Sequence, residues 1–334
     1  MHRLPAVFEM ATGYWVSQVI YAAAKLGIAD LLADGPRTCD EIAMATGADV
    51  SSLLRLMRTL VSFDVLAMED HDHFRLTEIG APLQSGLPDS LRAMILTLGE
   101  EHYQAWGGIL HSIQSGKPAF NHVFKAPLFE YLQRTPAAAD TFNDAMTDFT
   151  RQAALATVVA YDFSRMRSAV DIGGGQGALI STILRSYHGM TGIVFDAASV
   201  VGKAREHLAI AGLENRCQAI AGNFFESVPE GADAYLLKNV LHDWDDDSAI
   251  AILKNCRRAM NASGKLLAIE VVLPEPPGPF FENLLDLNML VMSGGRERTE
   301  DEYRRLFEAS GFQLTRRIPT MAPTSVIEAI PSAF

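Results

Sequence analysis

Hydrophobic positions in the first third of the chain recur at helical spacing. Across 8–33, Trp15, Val19, Ala22 and Leu26 form one stripe, and Val16, Ile20 and Ala23 form a second beside it. The pattern predicts one helix that is apolar over much of its girth. Such a helix needs cover on several sides, as at a subunit interface. Thr38-Cys39-Asp40-Glu41 is a capping-box pattern that opens a short helix. The stretch 51–62 sets Leu53, Leu56, Met57 and Leu60 on one face, and alternating stretches at 65–69 and 74–77 flank the turn Asp70-His71-Asp72. Helix, turn, helix and hairpin in that order predict a winged helix.

Further helices are expected over 91–160, rich in apolar and aromatic side chains around Trp106, Phe120, Phe129, Tyr131 and Phe142. From Ser168 the rhythm alternates. Strands are expected at 169–172, 192–196, 218–222, 234–238 and 265–272, with helices near 176–186, 199–211 and 247–260. Strand and helix in alternation predict a parallel, doubly wound sheet covered on both faces. Segments 312–318 and 325–330 read as an antiparallel edge pair, and 274–279 as a stiff proline-rich connection. The expected division is a winged-helix region over 1–90, a helical region over 91–160 and an α/β domain over 161–334.

Composition narrows the function. With 334 residues, 49% of them hydrophobic, the chain can bury a core in each of two domains. A formal net charge of -12 disfavours nucleic acid and anionic membrane surfaces. The winged helix carries Arg55 and Arg58 on its second helix, surrounded by Asp40, Glu41, Asp49, Asp64, Glu69 and Asp70. That charge pattern favours a structural or dimerisation module over a DNA reader. Cys39, Cys217 and Cys256 match no metal or redox spacing and read as reduced thiols. Lys25 and Asp30 interrupt the most hydrophobic stretch, and Glu9 interrupts the start, so a soluble, cytoplasmic protein is expected.

In an open α/β sheet, ligands bind beyond the carboxyl ends of the strands, so the residues there matter most. The first strand runs into Asp171-Ile172-Gly173-Gly174-Gly175-Gln176-Gly177. Its glycines allow close backbone approach to a ligand at a helix N-terminus. The same spacing fits a dinucleotide fingerprint, but Asp171 favours a ligand bearing an ammonium group. Asp196 ends the second strand, where an acid can hold a ribose diol, a reading favoured over that of a solvated loop aspartate. After the third strand, Asn223 can read an adenine edge and Phe224 and Phe225 can cover its face, or the rings are simply core. The fourth strand leads through Lys238 to His242, Asp243 and Trp244. A histidine at the mouth of a sheet is a candidate base, with a pKa expected near working pH. Glu270 lies on the fifth strand and Glu297 in the loop Gly294–Thr299; each could instead serve an arginine or a helix N-terminus.

The ordered combination closely resembles the cation-independent small-molecule O-methyltransferases, the group of the caffeic acid, acetylserotonin and hydroxyneurosporene enzymes. The resemblance spans nearly the whole chain and includes Trp106, Phe129-Glu130-Tyr131, Phe142 with Met146, the run from Val170 to Gly177, Leu241–Trp244 and Gly294–Thr299. It implies a class I methyltransferase Rossmann-like sheet, an N-terminal winged-helix dimerisation domain and a homodimer. It implies S-adenosyl-methionine on Asp171, Gly173, Gly175, Gly177, Asp196, Asn223, Phe224 and Lys238. His242 would be the base, oriented by Glu270 and Glu297. His102, Trp106, Phe142, Met146, Asp243, Met289 and Met292 would meet a small aromatic hydroxyl substrate. The chain departs from the family pattern in two places: Ala197-Ala198 replaces Leu-Pro after Asp196, and Asn223 replaces an aspartate. An amide still bonds to adenine, so donor binding is expected.

No metal is expected, because the acids Asp243, Asp245, Asp246 and Asp247 precede a helix they can serve electrostatically. His71 and His73 read as a surface turn pair. Rival readings are a family member that binds the donor without transferring methyl, supporting decarboxylation or hydroxylation instead, and a winged-helix transcription regulator. A dinucleotide-dependent dehydrogenase is a further alternative. Retention on DNA at physiological salt would mark the regulator, and calorimetry with NAD would mark the dehydrogenase.

Overall fold

The computed structural model describes residues 5–70, 72–87, 89–278 and 280–332. His71 in the wing turn and Pro279 in the proline-rich connection lie outside the described residues. Two compact units emerge: residues 1–103 with 140–148, and residues 104–139 with 149–334.

The first unit is a winged helix. Thr38 and Glu41 form the expected capping box, opening the helix Cys39–Thr46, and the Asp49 carboxylate caps the helix Val50–Ser62 by accepting from the Ser52 N–H. Ile42, Leu53, Met57, Leu60 and Phe74 close the core between the helices and the hairpin strands Leu66–Glu69 and His73–Leu76. A two-residue strand, Arg37–Thr38, pairs with the second hairpin strand and was not expected from sequence. The single helix expected over 8–33 is three pieces, Ala6–Ala11, Gly13–Lys25 and Ile28–Leu31. The last break falls at Gly27, whose φ of 68° lies in the left-handed region that ends helices. Val7, Phe8, Met10, Tyr14, Trp15 and Val16 on the first two pieces are exposed.

Among the described residues the second unit's sheet has eight strands, the two-residue strand Arg298–Thr299 beside β5 and seven that form its main path: β1 (Ser168–Ile172), β2 (Thr191–Asp196), β3 (Cys217–Ala221), β4 (Ala234–Lys238), β5 (Lys265–Leu273), β6 (Phe312–Pro319) and β7 (Thr324–Pro331). Their order is β6-β7-β5-β4-β1-β2-β3. β1 to β5 pair in parallel, whereas β7 runs antiparallel to both β5 and β6. The closing pair therefore sits at one edge as expected, with β7 inserted against β5. Alternating residues build a core on each face. Val170, Ile172, Tyr235 and Leu237 face helices Asp246–Ala259 and Glu300–Ala309, while Ala169, Ala234 and Leu236 face Ala178–Ser186 and Val201–Ile210. β5 is covered along nearly its whole length, as a central strand of such a sheet must be. Among the described residues no helix is long and apolar enough to cross a membrane.

Candidate active site

At the carboxyl end of β1 the chain passes into a turn whose Gly173, Gly175 and Gly177 take φ of 64°, 57° and 83°. Side chains are strained in that region, so the turn is open to glycine alone at low cost. Asp196, at the end of β2, accepts from the Gly175 N–H at 2.8 Å and from the Ala197 N–H at 2.7 Å. It thereby ties the second strand end to the glycine turn. Burial raises its pKa above the usual carboxylate range. Asp171 is almost fully buried, and its Oδ2 has no hydrogen-bond partner among the described residues. Burial, with a contribution from Asp196, pushes Asp171 up to about 7. A buried carboxylate oxygen without a partner beside a glycine turn that admits close backbone approach fits a ligand carrying both an ammonium group and a nucleoside.

Lys238 donates to Thr150 Oγ1 at 3.1 Å and lies over the Phe149 ring, 5.1 Å from its centroid. Burial lowers it to about 8, although the charges of Glu270 and Asp171 resist. Asn223 is exposed and engaged within its own loop: Oδ1 accepts from the Phe225 N–H, and Nδ2 donates to Glu226 Oε1. Phe224 and Phe225 join Trp244 and Phe129 in a cluster of rings with centroids 4.8 to 6.1 Å apart.

Beyond β4 a short 3-10 turn, Leu241–Asp243, carries His242 into a buried setting. Its Nδ1 lies 2.7 Å from Glu297 Oε1 and 3.8 Å from Glu270 Oε2, and its Nε2 lies 4.0 Å from Asp243 Oδ1. Glu270 and Glu297 are fully buried. The three residues expected at the catalytic centre thus meet, although 28 and 27 positions separate them in order along the chain. Burial alone would lower the imidazole pKa. Glu297, Glu270 and Asp243 outweigh it and raise His242 to about 10. The expectation of a pKa near neutrality is therefore corrected: three carboxylates around one imidazole favour the cation. Burial raises Glu270 to about 7 and raises Asp243 as well.

Several neighbours hold this turn, and of these Gly295, Arg296, Asp286 and Arg298 were given no role from sequence. Glu270 Oε1 accepts from the backbone N–H groups of Val240 and Leu241 at 3.0 and 2.9 Å. The Arg296 N–H donates to the His242 carbonyl at 2.8 Å. Gly295 packs so closely that a Cβ there would stand 1.9 Å from that carbonyl oxygen. Asp286 accepts from the Glu297 N–H at 2.9 Å. Arg298 is buried, with its guanidinium on Leu241, Trp244 and Asp246. These contacts join residues far apart in the chain, so packing and not local sequence pattern reveals them. Asp245 caps the helix Asp246–Ala259 through the Ser248 N–H, in line with the electrostatic reading of the acidic run. Among the described residues, His242, Glu270 and Glu297 are the cluster whose donor atoms lie close enough, within 4.8 Å of one another, to share a metal ion.

Of the expected acceptor-pocket residues, Trp106 donates through Nε1 to Asn288 Oδ1 at 2.8 Å. Met289 and Met292 are buried on the same helix as Asn288, Phe280–Met292. His102, Phe142 and Met146 belong to the first unit. There His102 closes the π-helical turn Leu98–His102, burial lowers it to about 4, and its Nδ1 has no hydrogen-bond partner among the described residues. Phe142 and Met146 are half-buried. A surface cleft lined by Phe149, Leu155, Val159, Met321 and Pro323 includes none of the expected site residues.

Comparison with known proteins matches residues 106–313 to the O-methyltransferase domain and residues 8–84 to the O-methyltransferase dimerisation domain. A phenazine O-methyltransferase of Lysobacter antibioticus is 48% identical over 325 residues, 97% of this chain and 95% of that protein. A phenazine-1-carboxylate N-methyltransferase of Pseudomonas aeruginosa is 32% identical over 324 residues, 97% of this chain and 96% of that protein. The solved structure of human N-acetylserotonin methyltransferase in complex with S-adenosyl-methionine has a TM-score of 0.92 at 30% identity, covering 100% of both chains.

Proposed function

This chain belongs to the O-methyltransferase family, dimerisation domain included, and on that premise we propose that it methylates a hydroxyl of a small fused-ring aromatic, with His242 taking the proton. It is an S-adenosyl-methionine-dependent methyltransferase. S-adenosyl-methionine supplies an electrophilic methyl carbon on a positively charged sulfur. Asp171, Asp196 and the Gly173–Gly177 turn are the residues that would hold it, and Lys238 and Phe224 would border it.

One observation carries the assignment of the base: Nδ1 of His242 is bonded to Glu297 at 2.7 Å. That bond keeps the Nδ1 proton in place, so in the neutral ring Nε2 carries the lone pair. Ionising a phenol of pKa near 10 costs about 4 kcal/mol at pH 7 in water. Acting as the base requires the neutral ring; the carboxylates around it raise its proton affinity towards that of a phenol, which favours passage of the acceptor proton to Nε2 once the ring is neutral. The phenolic proton would pass to Nε2 while the oxygen lone pair forms the bond to the methyl carbon. The methyl–sulfur bond would break with its electron pair left on sulfur, and the donor would leave as a neutral thioether. Glu297 and Glu270 then stabilise the imidazolium, and Asp243 lies on the Nε2 side where an acceptor would stand. The fused-ring acceptor class rests on the relative that acts on phenazine.

The test is incubation of the protein with isotopically labelled donor and a panel of hydroxyphenazines and phenols, read by mass spectrometry. Label on oxygen is expected, and a panel that stays unlabelled overturns the reading. A nitrogen acceptor is the second reading, motivated by the N-methyltransferase relative; an amino-substituted analogue in the same panel separates the two. We also propose a homodimer formed through residues 8–84, because Tyr14, Trp15 and Val16 are exposed on the matched dimerisation region. Light scattering at the mass of one chain would sink that proposal.

A further inference from the structure

The turn that carries His242 has weak bonds of its own. The Asp243 N–H reaches the Val240 carbonyl at 3.3 Å, and the Trp244 N–H reaches the Leu241 carbonyl at 3.4 Å, both at the long end for such bonds. Its shape is imposed from outside. On one side the Glu270 carboxyl group accepts through Oε1 from the amides of Val240 and Leu241. On the other side Arg298, a cation, donates from Nη1 to the Leu241 carbonyl and from Nη2 to the Trp244 carbonyl, each at 2.8 Å. Arg298 is 1% exposed, and its Nε and Nη2 both bond Asp246 Oδ1, at 3.0 and 2.8 Å. A lysine cannot reproduce this, because one ammonium lacks the fixed fork of the guanidinium.

The backbone explains how Glu297 and Arg298 act together. The two-residue strand Arg298–Thr299 pairs in parallel with Val272 and Leu273, two residues beyond Glu270 on β5. Successive side chains on an extended segment point to opposite sides. One stretch of chain anchored on the central strand therefore delivers a carboxylate to the imidazole and a guanidinium to the carbonyls flanking it.

We propose that Arg298 is a positioning residue: it fixes the carbonyls on both sides of His242–Asp243, and so holds the imidazole against Glu297 in the place from which it removes the acceptor proton. The proposal rests on the reading of His242 as the base. Through that geometry Arg298 governs the rate without touching either substrate, since misplacement by about 1 Å costs on the order of 10²-fold.

The experiment compares Arg298→Met, Arg298→Lys and Asp246→Asn with the parent protein. It reads kcat and KM for methyl transfer, donor affinity by calorimetry, and the titration of the His242 ring by NMR of ¹⁵N-histidine-labelled protein. Arg298→Met is expected to lower kcat about 10²-fold and Arg298→Lys about 10-fold, with donor affinity within about threefold of the parent. The ring is expected to titrate at lower pH in both, because Nδ1 loses Glu297. Asp246→Asn, at an exposed side chain, is expected to show the same changes on a smaller scale. Unchanged kcat and ring titration in Arg298→Met overturn the proposal, as does a rate loss matched by an equal loss of donor affinity. Should Arg298→Met fail to fold, unchanged kcat and titration in Asp246→Asn overturn it alone. A shifted titration in Arg298→Met beside a fully active His242→Ala would leave Arg298 in its place and remove the base assignment instead.

Discussion

The sheet of the second unit holds buried carboxylates at both ends of its parallel strands, and the two groups are wired in opposite ways. At the amino end, Glu328 on β7 is bonded by Tyr161, Lys265, Thr315 and Arg316. Burial would raise its pKa, but Arg316, Lys265, Tyr161 and Thr315 together bring it down to about 2. At the carboxyl end three carboxylates share one imidazole, and Oε2 of both Glu270 and Glu297 lacks a hydrogen-bond partner among the described residues. A saturated ion cluster ties the edge strands to β5 and favours the folded state. An undersupplied one keeps its demand for positive charge in reserve. Undersupply costs stability and is the ordinary mark of a site built to act on something else.

Breaking the undersupplied cluster should give the largest effect. His242→Ala is expected to lower kcat by about 10² to 10⁴-fold on a weakly acidic phenol, and far less on an acidic one that ionises unaided. Equal and negligible losses on both, in parallel pH–rate profiles, would rule the imidazole out as the base. Gly295→Ala comes next. Its methyl group cannot share space with the His242 carbonyl, so kcat should fall by about 10 to 10²-fold while donor affinity is retained, measured by steady-state kinetics beside calorimetry.

The saturated cluster should answer in stability instead. Glu328→Ala leaves Lys265 and Arg316 without their shared partner, a loss of about 2–3 kcal/mol because both can turn to water. Denaturant unfolding should show that loss with kcat within about twofold of the parent. A large drop in kcat would mean that the two ends of the sheet are not independent.

The smallest and sharpest contrast is in pH. Glu328 is held below its unfolded value of about 4.5, so its contribution is complete above that pH and disappears as pH falls towards 2. Glu270 is held above its unfolded value, so its burial is harmless below about pH 4.5 and costs stability as pH rises through about 7. Glu270→Gln should flatten the decline on the rising side. Glu328→Gln should flatten the decline on the acid side. Urea midpoints across the pH range check both, and a variant that flattens the wrong side refutes the assignment.

Much of this was legible before any coordinates. Strand rhythm located β1 to β5 within a residue or two, because buried parallel strands are nearly continuous apolar runs. The rule that sites gather at carboxyl ends of strands, joined to the family resemblance, brought His242, Glu270 and Glu297 together across a long separation. Four things were hidden. Gly27 sits inside an apolar run, and its left-handed backbone gives no signal in periodicity. The antiparallel insertion of β7 against β5 is a choice of sheet order that local pattern does not encode. The charge state of His242 depends on how many carboxylates face it, and Arg298 looks like any turn cation until its burial is known.

The bond from Glu270 to the amides ahead of His242 also bears on how such an enzyme can change. Proton removal takes its bearings from the rigid centre of the sheet, through β5, and not from the helical segments proposed to meet the acceptor. Acceptor preference and chemical competence then become separable traits. A library that randomises Trp106, Met289 and Met292 while leaving 240–246, 270 and 295–298 untouched should yield altered acceptor preference among catalysts that still turn over.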